Sequence, residues 1–104
     1  MKTEAEIYLE YETAIAQADS FASCAGELDS KLVSSLAETA GKTASFWKGE
    51  GAALFSSRCS LLQERIAGQA DTLRAVSETV RLIAQNIYDA EMRALEIARE
   101  NGAE

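Results

Sequence analysis

Hydrophobic side chains in the first half of the chain recur at alternating spacings of four and three residues. This row contains Ile7, Tyr11, Ala14, Ala18, Phe21, Ala25, Leu28, Leu32, Ser35 and Thr39. Such spacing places residues on one side of an α-helix, in the a and d positions of a heptad. The pattern predicts a first helix over about residues 4–40.

The second half of the chain repeats the same spacing. Its row contains Ala52, Phe55, Cys59, Leu62, Ile66, Gln69, Leu73, Val76, Val80, Ile83, Ile87, Ala90, Ala94 and Ile97. Gln69 is the one polar member of this row. The pattern predicts a second helix over about residues 52–100, and we call the two rows together the predicted seam.

A break in the pattern separates the two rows. Residues 42–50 read KTASFWKGE, and Gly41, Gly49 and Gly51 lie in or beside this stretch. Thr and Ser favour caps and turns, and glycine adopts positive φ without steric cost. We therefore predict a turn at about residues 41–51 in a single all-α domain, an antiparallel helix-turn-helix hairpin that sets Ile7 beside Ile87.

Each predicted helix also carries a second apolar row outside the seam. Its members, the predicted dimer interface, are Tyr8, Ile15, Ala22, Leu36, Leu54, Leu61, Ala75 and Leu82. Apolar residues at seven-residue spacing on a second face indicate that another helix packs there. We expect two hairpins to associate into a four-helix bundle, as a homodimer or with a related hairpin; the alternative is a monomer with isolated exposed leucines.

Composition limits the chemistry that the chain can perform. The 104 residues include no His and no Pro and carry a net charge of −7. Without His there is no Ser/His/Asp site and no imidazole metal site, and an acidic chain lacks the field that attracts nucleic acid. No apolar run is long enough to span a bilayer. We expect a non-enzymatic protein with no cofactor, no metal, no nucleic acid and no membrane span.

Two further sets of residues have simple structural interpretations. The predicted register separates Cys24 from Cys59 by roughly 16 Å along the hairpin, beyond the reach of a disulfide. Arginines at seven-residue intervals, interleaved with Glu64, Asp71 and Glu78, predict a solvated face with ion pairs rather than a phosphate-binding track. These arginines are Arg58, Arg65, Arg74 and Arg81.

The tripeptide Trp47-Lys48-Gly49 lies at the middle of the chain, between two heptad arrays. Together with the length of the chain and its lack of a cleavable signal, this arrangement resembles the WXG family of small proteins exported by type VII secretion systems, the relatives of early secreted antigenic target. The resemblance covers essentially the whole chain. It implies a non-enzymatic protein of a Gram-positive bacterium, cytoplasmic before export and secreted afterwards, that is recognised by a type VII export ATPase.

The family's export signal has a second element near the end of the second helix. Actinobacterial members carry Tyr-x-x-x-Asp/Glu, whereas here Met92 stands at the fourth position after Tyr88. A looser pattern of other Gram-positive members fits Ile87 followed by Glu91, so the candidate C-terminal export element comprises Ile87, Tyr88 and Glu91. The resemblance implies an antiparallel dimer in which Trp47 and Gly49 of one protomer lie near this element of the other.

Two other functions are compatible with the same helical pattern. A cytoplasmic adaptor or secretion chaperone would hold a larger partner by its second apolar row. An extracellular structural subunit, such as a needle-type hairpin, would polymerise into filaments. The three functions differ in where the protein accumulates and in how it assembles.

Overall fold

A computed structural model describes residues 1–102, and nearly all of these residues are helical. Helix α1 spans Glu4–Glu27, a π-helical segment spans Leu28–Val33, α2 spans Ser34–Phe46 and α3 spans Glu50–Glu100. No strand occurs in the described part of the chain. The all-α prediction is confirmed, and the chain reverses once, between α2 and α3.

The structure consists of two compact units, and each contains helical segments that run in opposite directions. Unit 1 contains Met1–Phe21 and the chain from Ala75 onward. Unit 2 contains Ala22–Arg74, and therefore includes the chain reversal. In unit 1 the hydroxyl of Ser77 donates to the carbonyl of Ala18, 2.7 Å away, while Lys2 binds Glu91 at 3.2 Å.

Thr3 caps the start of helix α1. The backbone N–H of Glu6 donates to the hydroxyl of Thr3 at 3.2 Å, and the N–H of Ile7 donates to the carbonyl of Thr3 at 3.0 Å. Glu4 and Glu6 lie in the first turn, where the helix dipole favours negative charge. The start of α1 thus satisfies backbone N–H groups that have no partner within the helix.

Small side chains form the contacts between the helices. Within the described part of the chain, the buried residues of unit 2 are Ala25 and Ala70, and those of unit 1 are Ile7, Ala18, Ser77, Ala84, Leu95 and Ala98. Small residues let two helix backbones approach closely, so the larger side chains lie on the flanks of the contact. The buried positions of unit 2 are therefore alanines, whereas unit 1 buries Ile7 and Leu95 beside its alanines and Ser77.

This arrangement corrects the predicted seam of α3. Five of its large members, Leu62, Val76, Ile83, Ile87 and Ile97, are 37–51% exposed. The buried positions are Ala70, Ser77, Ala84, Leu95 and Ala98, each next in sequence to a predicted seam residue. The heptad spacing is correct, but the helix is rotated so that a narrower row of mostly small residues faces inward.

The π segment corrects the predicted seam of the first half. A π-helical turn holds one residue more than an α-helical turn, so every following side chain is displaced by one position around the helix. From the end of the segment onward, Leu32, Ser35 and Thr39 are exposed, whereas Val33, Leu36 and Ala40 are half-buried. Because of this displacement, Leu36 and Ala40 face inward in place of the polar Ser35 and Thr39. This burial of apolar side chains favours the π turn despite its poorer hydrogen-bond geometry.

The turn is shorter than its predicted range of about 41–51. Gly41 is helical, and α2 continues to Phe46. Helix α3 begins at Glu50, so only Trp47, Lys48 and Gly49 connect the two helices. Since glycine is tolerated within helices, the glycine cluster alone overestimates the length of the break.

Ion pairs link the helices within each unit. Arg81 pairs with Asp19 in unit 1, and Arg74 pairs with Asp29 in unit 2. The hydrogen bond to Asp29 raises the pKa of Arg74. Arg74 also contacts Asp71 at 3.2 Å. Within the described residues, Asp71 is the one acid interleaved with the arginines that forms an ion pair. The predicted ion pairs thus form mainly across helices rather than along α3.

The two cysteines do not form a disulfide with each other. Cys24 is an exposed free thiol, and Cys59 is a half-buried free thiol. Among the described residues, no helix combines the length and the apolar character needed to cross a bilayer.

Candidate functional site at the Trp47 turn and the C-terminal part of α3

The backbone of the turn uses each of its three residues differently. Trp47 leaves the helix in an extended conformation, and its N–H still donates to the carbonyl of Thr43 at 3.0 Å. Gly49 has φ +105°, which side-chain-bearing residues rarely adopt. Its carbonyl accepts the first bond of α3, from the N–H of Ala53 at 3.0 Å. The reversal therefore requires glycine at position 49.

The indole ring of Trp47 packs across the start of α3. Its centroid lies 5.6 Å from that of Phe55, and the two ring planes are tilted by 46°. This tilted geometry is favoured by the ring quadrupoles. Trp47 remains 42% exposed, so one part of the ring contacts Phe55 while another part faces outward.

Gly51 provides the room for this ring. A Cβ atom built on Gly51 would lie 3.2 Å from Cζ2 of Trp47, closer than most Cβ contacts. The indole therefore rests against a backbone position that has no side chain. The Trp-x-Gly pattern extends in this chain to a second glycine, which supports the ring rather than the turn.

Lys48, the middle residue of the tripeptide, closes the end of α2. Its ammonium group donates to the carbonyl of Ala44 at 2.7 Å. The last carbonyls of a helix have no partner within the helix, and a cation at this end interacts favourably with the dipole. Lys48 therefore stabilises the end of α2 and orients the turn.

A shallow groove of about 240 Å³ lies beside the turn. Its lining residues come from α2, the turn and α3, namely Ala40, Thr43, Ala44, Trp47, Lys48, Gly49, Ala52, Ala53 and Phe55. Apart from Thr43 and the lysine, its side chains are small or aromatic. The groove therefore offers a largely apolar surface beside the exposed part of the Trp47 ring.

The candidate C-terminal export element lies in unit 1. The rings of Tyr88 and Tyr11 are 5.0 Å apart between centroids, and the hydroxyl of Tyr11 donates to Oε1 of Gln85 at 3.1 Å. Ile87 is 51% exposed, whereas Tyr88 is half-buried. Of the two, Ile87 therefore exposes the larger fraction of its surface.

Glu91, the acidic member of this element, is held by the N-terminal end of the chain. The ammonium of Lys2 contacts Glu10 at 2.6 Å and Glu91 at 3.2 Å. These hydrogen bonds, first to Glu10 and then to Glu91, raise the pKa of Lys2 above its ordinary value. The ion pair with Lys2 thus positions the Glu91 carboxylate beside the first residues of the chain.

The structure places the two predicted export elements in different units. Trp47 and Gly49 belong to unit 2, while Ile87, Tyr88 and Glu91 belong to unit 1. In the predicted dimer interface, Tyr8, Leu54, Leu61, Ala75 and Leu82 are exposed, whereas Ile15, Ala22 and Leu36 are half-buried.

Sequence reasoning missed three residues that position these elements. They are Lys48 at the end of α2, Gly51 beneath the indole and Lys2 beside Glu91. Lys48 lies two residues beyond the observed end of α2, where a lysine can bind the last carbonyls, but the predicted helix ends at about residue 40 and gives no such signal. Nothing in the sequence pairs Lys2 with Glu91, which lies 89 positions away.

Comparison with known proteins adds no relative. No family model matches the chain, and neither a curated protein nor a solved structure matches it.

Proposed function

We propose that the protein is a non-enzymatic, WXG-type substrate of a type VII secretion system of a Gram-positive bacterium. It is exported as a folded dimer and works through its surface as an effector or as the co-export partner of a related protein. The proposal rests on the resemblance of the chain to that family and on the geometry of the turn.

The observation that carries the proposal is the use of Trp47 and Gly49 at the chain reversal. Gly49 has a backbone conformation that needs glycine, and Trp47 is held against Phe55 while it stays 42% exposed. A tryptophan that only filled a core would be buried. An anchored but accessible indole is instead suited to be read by another protein.

The dimer in this proposal is a four-helix bundle that covers the exposed apolar side chains. Leu54 and Leu82 are 58% and 62% exposed in the single chain, and both belong to the predicted interface. In the bundle, the Trp47 turn of one protomer lies near Ile87, Tyr88 and Glu91 of the other. The export ATPase would bind this composite surface, which exists only after folding and assembly.

The test is an export assay in a Gram-positive host that carries a type VII system, with the protein measured in the medium and in the cell. Trp47→Ala is expected to abolish export while sedimentation still shows the dimer. Phe46→Ala is the matched control, because Phe46 is the neighbouring aromatic residue and is 77% exposed. Wild-type export of Trp47→Ala would contradict the proposal.

The exposed leucines also favour a second candidate function. Leu9 is 67% exposed and Leu82 is 62% exposed, and a cytoplasmic adaptor or secretion chaperone would use such side chains to hold a larger client. The same assay separates the two functions, since an adaptor stays in the cell bound to its client. Retention together with a stoichiometric larger partner would support the adaptor.

A further inference from the structure

Two stretches of the chain repeat one pattern with opposite charges. The first contains Tyr8, Leu9, Glu12, Ile15, Ala16 and Asp19, and the second contains Leu54, Phe55, Arg58, Leu61, Leu62 and Arg65. The spacing is identical, with apolar residues at matching positions. Where the first stretch has two acids, the second has two arginines. We call the first the acidic stripe and the second the basic stripe.

The basic stripe lies on α3 in unit 2, and all six of its side chains are exposed. Residues three and four apart are neighbours on a helix. Arg58 and Arg65 therefore have Leu54 and Leu61 on one side. Phe55 and Leu62 lie on the other side. Within residues 1–102, neither arginine forms an ion pair, although Arg74 and Arg81 on the same helix do. Two unpaired cations thus lie along the middle of an apolar face.

The acidic stripe lies on α1 in unit 1. Tyr8 is 54% exposed and Leu9 is 67% exposed, and Glu12 lies between them on the helix surface. The charge of Glu12 raises the pKa of the Tyr8 hydroxyl, as expected for close neighbours. In the described part of the chain Glu12 forms no ion pair, whereas Asp19 binds Arg81 and keeps a side chain that is 62% exposed.

We propose that the acidic stripe of one copy of this chain docks on the basic stripe of a second copy. Glu12 and Asp19 would face Arg58 and Arg65 across the contact, while the flanking apolar residues of both stripes pack against one another. In a two-fold symmetric dimer this contact occurs twice, because each copy supplies both stripes. The inference builds on the proposed function, whose dimer it resolves into two identical chains.

The complementary charges of the two stripes favour a second copy over an unrelated partner. The protein has a net charge of −7, so identical chains repel one another unless opposite charges meet in the contact. The two stripes provide that opposition at equal seven-residue spacing. Arg side chains pack their apolar stems while the guanidinium binds a carboxylate, which suits the middle of such a face.

The experiment is a charge swap measured by sedimentation of the purified full chain. The basic-stripe variant carries Arg58→Glu and Arg65→Glu, and the acidic-stripe variant carries Glu12→Arg and Asp19→Arg. Each variant alone should lose at least about 100-fold in self-association, since like charges then face one another in both contacts. An equimolar mixture should recover dimers, because every contact in the mixed dimer again joins opposite charges.

Controls with the same change in net charge separate pairing from general repulsion. Lys31→Glu with Lys42→Glu matches the basic-stripe variant, and Glu78→Arg with Glu96→Arg matches the acidic-stripe variant. All four control positions are exposed and lie outside the stripes. Both controls should dimerise within about threefold of the unmodified chain, a change that corresponds to less than about 1 kcal/mol.

Two outcomes would overturn the inference. One is a chain that stays monomeric at all concentrations, which would leave the stripes to a different partner. The other is a dimer that the two stripe variants do not weaken, or that their mixture does not restore. These measurements do not involve export, so a failed export assay with a successful charge swap would reject the proposed function and retain the dimer.

Discussion

Gly49 and Gly41 show how two nearby glycines have opposite effects at the scale of single residues. Gly49 has φ +105° at the start of α3, while Gly41 lies within α2 with open space around the position of a Cβ atom. Glycine in a helix costs backbone entropy, whereas at positive φ it avoids strain. The same substitution should therefore change stability in opposite directions at the two sites.

We expect Gly49→Ala to lower the free energy of unfolding by about 1–2 kcal/mol, the cost of a left-handed conformation for an L-residue. Gly41→Ala should raise it by about 0.5–1 kcal/mol. Urea denaturation followed by circular dichroism measures both. A stable Gly49→Ala chain would show that the turn adopts another conformation in solution.

The turn also shows what single residues reveal before a structure exists. Trp47 and Gly49 stand out because they lie between two heptad arrays. Lys48 and Gly51 do not, since their roles depend on where the end of α2 and the indole ring come to lie. Sequence identified the residues that form the turn, but not those that support them.

At the scale of elements, the close contact between α1 and α3 in unit 1 depends on small side chains. Ala18 is fully buried, and its carbonyl accepts the hydroxyl hydrogen of Ser77. Ala18→Leu should destabilise the protein by about 2–3 kcal/mol, because the added carbons have no space. Ala5→Leu, at an exposed position of the same helix, should change stability by less than about 0.5 kcal/mol. Comparable losses in the two variants, measured by chemical denaturation, would argue against a close contact at Ala18.

The π segment makes a prediction about two leucines in and beyond it. Leu36 is half-buried and Leu32 is 49% exposed, the reverse of what an uninterrupted α-helix would give. Leu36→Ala should therefore cost at least about 1 kcal/mol more than Leu32→Ala in thermal or urea unfolding. A larger loss for Leu32→Ala would mean that the helix is regular in solution.

The predicted seam was wrong in detail for a physical reason. Heptad spacing identifies which residues share a helix face, but it favours large apolar residues as the inner ones. Here Ala70, Ser77 and Ala84 are buried while Leu62, Val76 and Ile83 are partly exposed. The preference for a close contact between backbones depends on both helices at once and is not visible in either pattern alone.

At the scale of the whole molecule, the exposed apolar residues predict that stability depends on concentration. If Leu54, Leu61 and Leu82 become covered in a dimer, folding is coupled to association. The thermal midpoint should rise as protein concentration increases about 100-fold, and scanning calorimetry measures this directly. A midpoint that stays constant over that range would indicate a folded monomer.

The whole-molecule predictions from sequence differ in how far the structure supports them. The all-α class and the single reversal are confirmed. The helical periodicity of the sequence and its lack of proline were sufficient to predict both. The four-helix bundle stays a prediction, since it concerns surfaces that only a second chain can cover. Family resemblance through Trp47 and Gly49 likewise remains a proposal.

The extra residue in the π segment has a consequence for aligning this chain with others. A protein that lacks one residue between positions 28 and 33 would replace the π turn with an ordinary α turn and still direct the counterparts of Val33, Leu36 and Ala40 inward. An alignment without a gap would match its downstream positions to the wrong side of this helix. Placing a one-residue gap there would restore the correspondence and make distant relatives easier to detect.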